Sequence, residues 1–372
     1  MLGIITGTRP EIIKMFPLIK QLEKDDIEYK YIHTGQHYDH ALSSLFYDEF
    51  DLRRPDYKID LSGSLSNYSK QISEIMVKLR SIFRHEKFSG VIVQGDTNSV
   101  LASSLEAVRH NVPVYHVEAG LRCFDMRLQE EKNRTIVDHI SSFLFAPTTI
   151  SKQNLVKEKV KGEIFIVGNT IMDAINIILE GNKNKDIQNF LRDKYDQKKF
   201  ILVTLHRTES LSNKRFLISF FLSLKESNLN YIFPLHPHTL KQIKRFNLEY
   251  IFQNEKITFI PPLGYSEFLN LLQICRFVIT DSGGVQEEIT SNLINKYAII
   301  VRSSTERPES ITSGHSILLG NFSRKNLTDQ IINLDKIVDC NGTCKLTTNP
   351  YGVGDSAKKI VDVIKQMRDE PL

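Results

Sequence analysis

The sequence predicts an α/β protein made of two Rossmann-like, doubly wound parallel-sheet domains that face each other across a cleft. Three observations lead there. Short apolar, β-rich runs alternate with helical stretches, and after a polar, charged stretch over 181–199 the alternation starts again. The length, 372 residues, exceeds what one ordinary core supports. Polar residues gather at the carboxyl ends of the apolar runs, the edge that faces the ligand crevice in an open parallel sheet. The expected divisions are a first domain over 1–168, a second over 169–354, and a final helix over 355–372 that crosses back to the first.

Composition narrows the class. A hydrophobic fraction of 41% and a charged fraction of 25% suit a water-soluble globular chain. The net charge of +4 suits a phosphate-bearing ligand but is too small and scattered for nucleic acid. No apolar run is long enough to span a bilayer, and Met1-Leu-Gly-Ile-Ile reads as a strand rather than a signal peptide. With only 4 cysteines and no secretory context, a cytoplasmic location is expected. Cys340 and Cys344 make a poor metal signal, and no His pair has metal-ligand spacing, so no metal is expected.

In chain order, Leu2–Thr6 reads as the first strand, and Gly7-Thr-Arg-Pro-Glu11 as a turn opening a helix with Pro10 near its start. Arg9 and Lys14 bring cations to that helix N-terminus, an arrangement that suits a facing anion. The spacing is not G-x-G-x-x-G, so no nicotinamide dinucleotide site is expected. Tyr29–His33 is the second strand, followed by Thr34-Gly-Gln-His-Tyr38, and helices are expected over 41–50 and 69–84. Strands over 90–95 and 112–117 end alike, one delivering Asp96 and the other Glu118 to the crevice edge. Glu130 opens a helix on which Glu131 and Asp138 share a face and Glu130 is spaced to pair with Arg134.

Further strands are expected over 144–147 and 164–167, with Gly168-Asn-Thr170 as the boundary and a hinge near it. In the second half, strands over 200–205 and 231–235 end at His206 and His236, and others are expected over 256–260, 277–280 and 298–301. Asp281-Ser-Gly-Gly-Val-Gln-Glu-Glu288 reads as strand, tight glycine turn, helix. There Gly283 and Gly284 remove side chains that would keep a phosphate from the helix N–H groups, and Ser282 adds a hydroxyl. Glu287 and Glu288 lie one turn further in, placed to take sugar hydroxyls.

Gly7–Glu11, Gln94-Gly-Asp-Thr97, His116–Arg122, Glu130–Arg134, His206-Arg-Thr-Glu-Ser210, Asp281–Glu288 and Thr305-Glu-Arg-Pro-Glu309 together resemble the non-hydrolysing UDP-N-acetylglucosamine 2-epimerases. The blocks follow the family's order over nearly the whole chain. The resemblance implies a glycosyltransferase-B type of fold, UDP held mainly by the second domain, no cofactor, and a homodimer. It also implies roles. Asp96, Glu118, Glu131 and His206 match the family's catalytic positions. Arg9, Lys14, Arg134, His236, Ser282, Gly283, Gly284, Glu288 and Arg307 fall to the UDP-sugar. Gln36 and His37 match an activator site for a second UDP-GlcNAc. Gln129 stands where the family commonly has proline, Lys132 where a small or apolar residue is usual, and Ser303 where Asp is frequent.

The expected reaction is reversible C2 epimerisation of UDP-GlcNAc to UDP-ManNAc by elimination and re-addition of UDP, with the closely grouped carboxylates sharing one proton at raised pKa. The alternatives are a 2-epimerase of a modified UDP-sugar, such as a diacetamido uronic acid or an N-acetyl-L-sugar, and a UDP-sugar glycosyltransferase of the same fold.

Overall fold

The computed structural model describes residues 1–36, 47, 49–61, 67–181, 199–338, 344 and 349–369. His37, Cys340, Asn341, most of the helix expected over 41–50 and most of the 181–199 stretch lie outside the described residues. The chain forms two compact units, one of Met1–Ala174 with Tyr351–Leu372, the other of Ile175–Pro350.

In the first unit, β1 (Leu2–Thr6), α1 (Arg9–Lys24), β2 (Tyr29–His33), β3 (Tyr57–Lys58), α2 (Tyr68–His85), β4 (Gly90–Gln94), α3 (Asn98–Arg109), β5 (Val114–Val117), α4 (Gln129–Ile140), β6 (Phe143–Ala146), α5 (Thr149–Glu158), β7 (Glu163–Ile166) and α6 (Thr170–Glu180) follow one another. Seven strands pair in the order β3-β2-β1-β4-β5-β6-β7, and every pairing is parallel. The central strands β1, β4 and β5 are buried throughout, which explains their mostly apolar sequences. Strand order reverses between β1 and β4, and the loops that leave these two strands flank the crevice of a doubly wound sheet.

The second unit repeats the plan with β8 (Ile201–Thr204), α7 (Thr208–Leu211), α8 (Lys214–Ser227), β9 (Tyr231–Pro234), α9 (Pro237–Arg245), β10 (Ile257–Ile260), α10 (Tyr265–Ile274), β11 (Val278–Thr280), α11 (Gly283–Glu288), β12 (Ala298–Ile300), α12 (Pro308–Thr312), β13 (Ser316–Leu318) and α13 (Arg324–Ile337). Its six parallel strands run β10-β9-β8-β11-β12-β13, with the reversal between β8 and β11. The short strands β3 and β13 were not anticipated. Among the described residues no helix is long and apolar enough to cross a membrane.

The chain closes the first unit with α14 (Ser356–Asp369), which packs along α1, and Lys365 Nζ lies 3.0 Å from Asp25 Oδ2. The units divide within α6 and after Pro350, rather than at 168/169 and 354/355, because the start of α6 is bonded to the returning chain. Asn169 donates its amide to the Tyr351 carbonyl at 2.8 Å. Gly168 has φ +87°, and a Cβ there would stand 2.6 Å from Ser356 Oγ.

Asp173 accepts the first amides of α14, Ser356 N at 3.2 Å and Ala357 N at 3.0 Å. Burial raises its pKa to about 6, against the pull of those amides. Asp173→Ala leaves both buried N–H groups without an acceptor and should cost about 2–4 kcal/mol in urea unfolding. A midpoint shift within error would show that this cap does not secure the returning helix.

Candidate active site

The first unit's acids sit on turns at the carboxyl ends of β4 and β5 and on α4. Glu118 follows β5 directly, with φ +70°, a conformation that a glutamate seldom adopts and that stores about 1–3 kcal/mol. Its buried carboxylate faces Lys14 Nζ at 2.5 Å on Oε1 and receives Asn169 Nδ2 there at 3.3 Å. The Gln94 amide donates to Oε2. Lys14 reaches this carboxylate from α1.

Asp96 follows β4 through Gly95, whose φ of +84° makes the sharp exit. Arg134 links Asp96 to Glu131. Its Nη2 donates to Asp96 Oδ2, and its Nη1 to Glu131 Oε2 at 3.0 Å. The spacing had suggested a pair with Glu130, but Glu130 is exposed and the guanidinium turns to the buried side of α4. Glu131 also receives Phe124 N at 2.9 Å and Cys123 N and Sγ, each at 3.2 Å. Asn133 donates to the Asp96 carbonyl at 2.9 Å and accepts from Gln129 Nε2 at 3.0 Å, so Gln129 braces the turn that carries Asp96.

Around them lie residues to which the sequence motifs gave no role. His116 Nδ1 meets Asp138 Oδ1 at 2.7 Å, and Arg122 Nη1 meets Asp138 Oδ2 at 2.7 Å. Burial alone would push Asp138 up, yet His116 and Arg122 hold it below the usual carboxylate range. Glu11 accepts Gly7 N at 2.6 Å and Thr8 Oγ1 at 3.0 Å. Burial raises its pKa to about 7, with a small push from Asp96, against bonds from Thr97, Gly7 and Thr8. Arg9 begins α1 and is half-buried. Gln36 is buried, its side-chain Oε1 accepting Ser99 N and Oγ, each at 2.8 Å, at the start of α3.

In the second unit Asp281 is fully buried and accepts His206 N at 3.2 Å and Arg207 N at 2.9 Å. The His206 ring lies 3.6 Å from the same carboxylate and is nearly half exposed. Its pKa is lowered: desolvation outweighs Asp281, and Arg207 and His238 push the same way. His236 caps α9, its Nδ1 accepting His238 N at 3.2 Å.

Three guanidinium groups converge on Glu306, from Arg307 at 2.7 Å, Arg302 at 2.9 Å and Arg207 at 3.2 Å. Arg307 is fixed further by Glu287, Nε to Oε1 at 2.9 Å. This cluster fills the space over Gly283, where a Cβ would stand 2.7 Å from Glu306 Oε1 and 3.4 Å from Arg307 Nη1. The missing side chain at Gly283 therefore makes room for the arginine cluster. Over Gly284 the nearest atoms, Ser282 Oγ and Glu288 Oε1, are 3.9 Å away, and the approach is open. Ser282 caps α11, its Oγ accepting Val285 N at 3.5 Å, and Glu288 Oε1 accepts the Tyr265 hydroxyl at 2.9 Å.

The fold thus gathers Lys14, Asp96, Glu118, Glu131 and Arg134 in one unit, and His206, Ser282–Gly284, Glu288 and Arg307 around the β8/β11 switch point in the other. The first set offers carboxylates for proton transfer, and the second a cationic turn for an anion.

The family model for UDP-N-acetylglucosamine 2-epimerase matches residues 20–365. The Methanocaldococcus jannaschii UDP-N-acetylglucosamine 2-epimerase is 40% identical over 370 residues, 98% of each chain. The Pseudomonas aeruginosa UDP-2,3-diacetamido-2,3-dideoxy-D-glucuronate 2-epimerase is 32% identical over 370 residues, 98% of this chain and 99% of that one. Among solved structures, the M. jannaschii UDP-GlcNAc 2-epimerase in complex with UDP-GlcNAc and UDP superposes with TM-score 0.86 at 38% identity, covering 98% of this chain and 99% of that one. The Neisseria meningitidis UDP-GlcNAc 2-epimerase bound to UDP-GlcNAc gives 0.87 at 30% identity, with the same coverage. The fold is of the glycosyltransferase-B type.

Glu11 supplies a test of the buried layer. Its folded pKa of about 7 lies above the ordinary 4.5, so the proton-bound folded form is favoured. That stabilisation is complete below the unfolded pKa and is lost as pH rises through 7, by roughly 2–3 kcal/mol between pH 5 and 8. Glu11→Gln should remove this component, so the urea-unfolding difference between wild type and variant should shift by that amount over the range. A difference independent of pH would place the Glu11 proton elsewhere.

Proposed function

The chain belongs to the UDP-N-acetylglucosamine 2-epimerase family, and from that premise we propose that it interconverts UDP-GlcNAc and UDP-ManNAc. The observation that carries this reading is the pairing of buried acids with buried cations at the ends of β4 and β5, Lys14 on Glu118 and Arg134 on both Asp96 and Glu131.

The C2 hydrogen of the sugar is poorly acidic, because it lies beside an acetamido group and not a ketone. Breaking the C1–O bond gives C1 oxocarbenium character, and the electron pair leaves on the β-phosphate oxygen of UDP. A carboxylate then takes the C2 proton, and its electrons form the C1=C2 bond of a 2-acetamidoglucal. UDP returns to C1 while a proton is delivered to the opposite face of C2. Asp96, Glu118 and Glu131 supply the acid and base groups for the two faces. Arg9, Arg307, His206, His236 and the Ser282–Gly284 turn receive the departing diphosphate, and Glu288 takes the ribose hydroxyls. Arg134 sets Asp96 against Glu131, and Lys14 acts first through Glu118, with its charge also available to the leaving group. Gln36 and His37 are assigned to a second UDP-GlcNAc as activator. The working form is a cytoplasmic homodimer that feeds polysaccharide or glycan precursor synthesis.

The resemblance to the P. aeruginosa diacetamido-uronate 2-epimerase supports a second reading, the same chemistry on a modified UDP-sugar. The higher identity to the M. jannaschii enzyme favours UDP-GlcNAc.

In D2O, NMR of UDP-GlcNAc with the purified protein should show deuterium at C2 and a new UDP-ManNAc anomeric signal. Free ManNAc would mean hydrolysis instead, and no exchange would send the assignment to a modified UDP-sugar. Asp96→Asn should lower C2 exchange by at least ~100-fold while UDP affinity stays nearly constant. Wild-type exchange in that variant would remove Asp96 from the mechanism.

A further inference from the structure

Behind the carboxylates lies a fully buried charge array that no assigned role has used. His116 and Asp138 have no exposed surface, and Arg122 is almost as deep. Both His116 ring nitrogens face acceptors, Nδ1 the Asp138 carboxylate at 2.7 Å and Nε2 the Gly95 carbonyl at 2.8 Å, so each donates. Asp138 Oδ2 accepts Gly120 N at 3.1 Å and meets Arg122 Nη1 at 2.7 Å. Arg122 also donates to the Leu121 carbonyl at 2.7 Å and grips Glu158 with Nε at 2.8 Å and Nη2 at 2.6 Å.

Such an array is a poor device for stability. Burying several charges costs desolvation that their attraction only roughly offsets, and well-packed apolar side chains serve a core as well or better. Its connections point to another use. Gly95 immediately precedes Asp96. Gly120 lies just past Glu118, whose left-handed backbone needs an outside constraint. Asp138 itself stands on α4, the helix of Glu131 and Arg134. One imidazole–carboxylate pair therefore joins the three segments that carry the acids.

We propose that His116 and Asp138 are positioning residues for epimerisation, fixing the turns of Asp96 and Glu118 to the helix of Glu131. The inference rests on the epimerase reading above. Proton transfer at C2 needs the carboxylates held to a fraction of an ångström, and a misplacement of about 1 Å costs on the order of 100-fold in rate.

The two bonds of His116 can be separated. In His116→Gln the amide nitrogen reaches the Nε2 position and still serves the Gly95 carbonyl. In His116→Asn it reaches only the Nδ1 position and serves Asp138, leaving Gly95 loose. Activity is measured per folded molecule, well below each variant's Tm, by UDP-ManNAc formation and C2 deuterium exchange. His116→Asn should lose about 100-fold in kcat, with KM for UDP-GlcNAc and Kd for UDP within about threefold of wild type. His116→Gln should recover most of that loss. Asp138→Asn turns a donor toward Gly120 N and Arg122, and should show the same kcat-specific defect, which keeps the test available if His116→Asn does not fold. Folded variants with wild-type kcat would overturn the proposal, as would equal loss in His116→Asn and His116→Gln. A wild-type protein that fails to exchange C2 of UDP-GlcNAc would overturn the epimerase reading, and this inference with it.

Discussion

A carboxylate sunk at the end of a parallel sheet must be matched by a cation or by aimed donors, because the low-dielectric surroundings penalise an unpaired charge heavily. The first unit is arranged around that constraint. Glu118 is answered by Lys14 from a helix that precedes it by 104 positions. Asp96 and Glu131 share Arg134, and Asp138 is answered by His116 and Arg122. Arg134 and Glu131 are neighbours on α4, but 104 positions separate Lys14 from Glu118 and 38 separate Arg134 from Asp96, so the carboxylates are tied to segments distant in sequence. Sheet order makes this possible, since β1, β4 and β5 stand side by side and bring their exit turns to one edge.

The second unit inverts the relation. Here carboxylates serve the cations. Glu287 and Glu306 clamp Arg307, and Asp281 spends its carboxylate on the backbone of His206 and Arg207. A guanidinium fixed on two sides presents its charge in one direction, which suits a diphosphate better than a freely rotating side chain does. The same architecture thus places buried, cation-paired carboxylates at the strand ends of one sheet and oriented cations at those of the other.

Much of this was legible in the chain itself. Asp96 and Glu118 stood out because each comes just after a short, mostly apolar β-rich run, and that pattern places a residue at the crevice edge without any knowledge of contacts. Most strands were legible as short apolar runs; β3 is only two residues long, and β13, three residues like β11 and β12, begins with Ser316 and offers no such run. Pairings were another matter. Arg134 could be spaced against Glu130 or Glu131, and only the direction of burial on α4 decides between them. Asp138 was seen to share a face with Glu131, yet nothing in the spacing showed that this face meets His116. At Gly283 the glycine signal was real but its cause was hidden, since the atoms that need the room belong to Glu306 and Arg307, more than a strand away.

Near Asp96 lies one buried carboxyl whose pKa is raised. The raised carboxyl is Glu11, and burial is its main cause, with Asp96 adding a smaller push. Glu11 holds the Gly7–Thr8 turn from which α1 and Lys14 emerge. As a neutral acid it braces that turn without placing a second negative charge beneath Asp96, whereas an ionised Glu11 would set two like charges against each other in a poorly screened interior. The layers therefore divide the work by charge state. The deep layer near Asp96 holds an acid with a raised pKa and a carboxylate paired with His116 and Arg122, while Lys14 and Arg134 pair with the carboxylates to which the proton transfers at C2 are assigned.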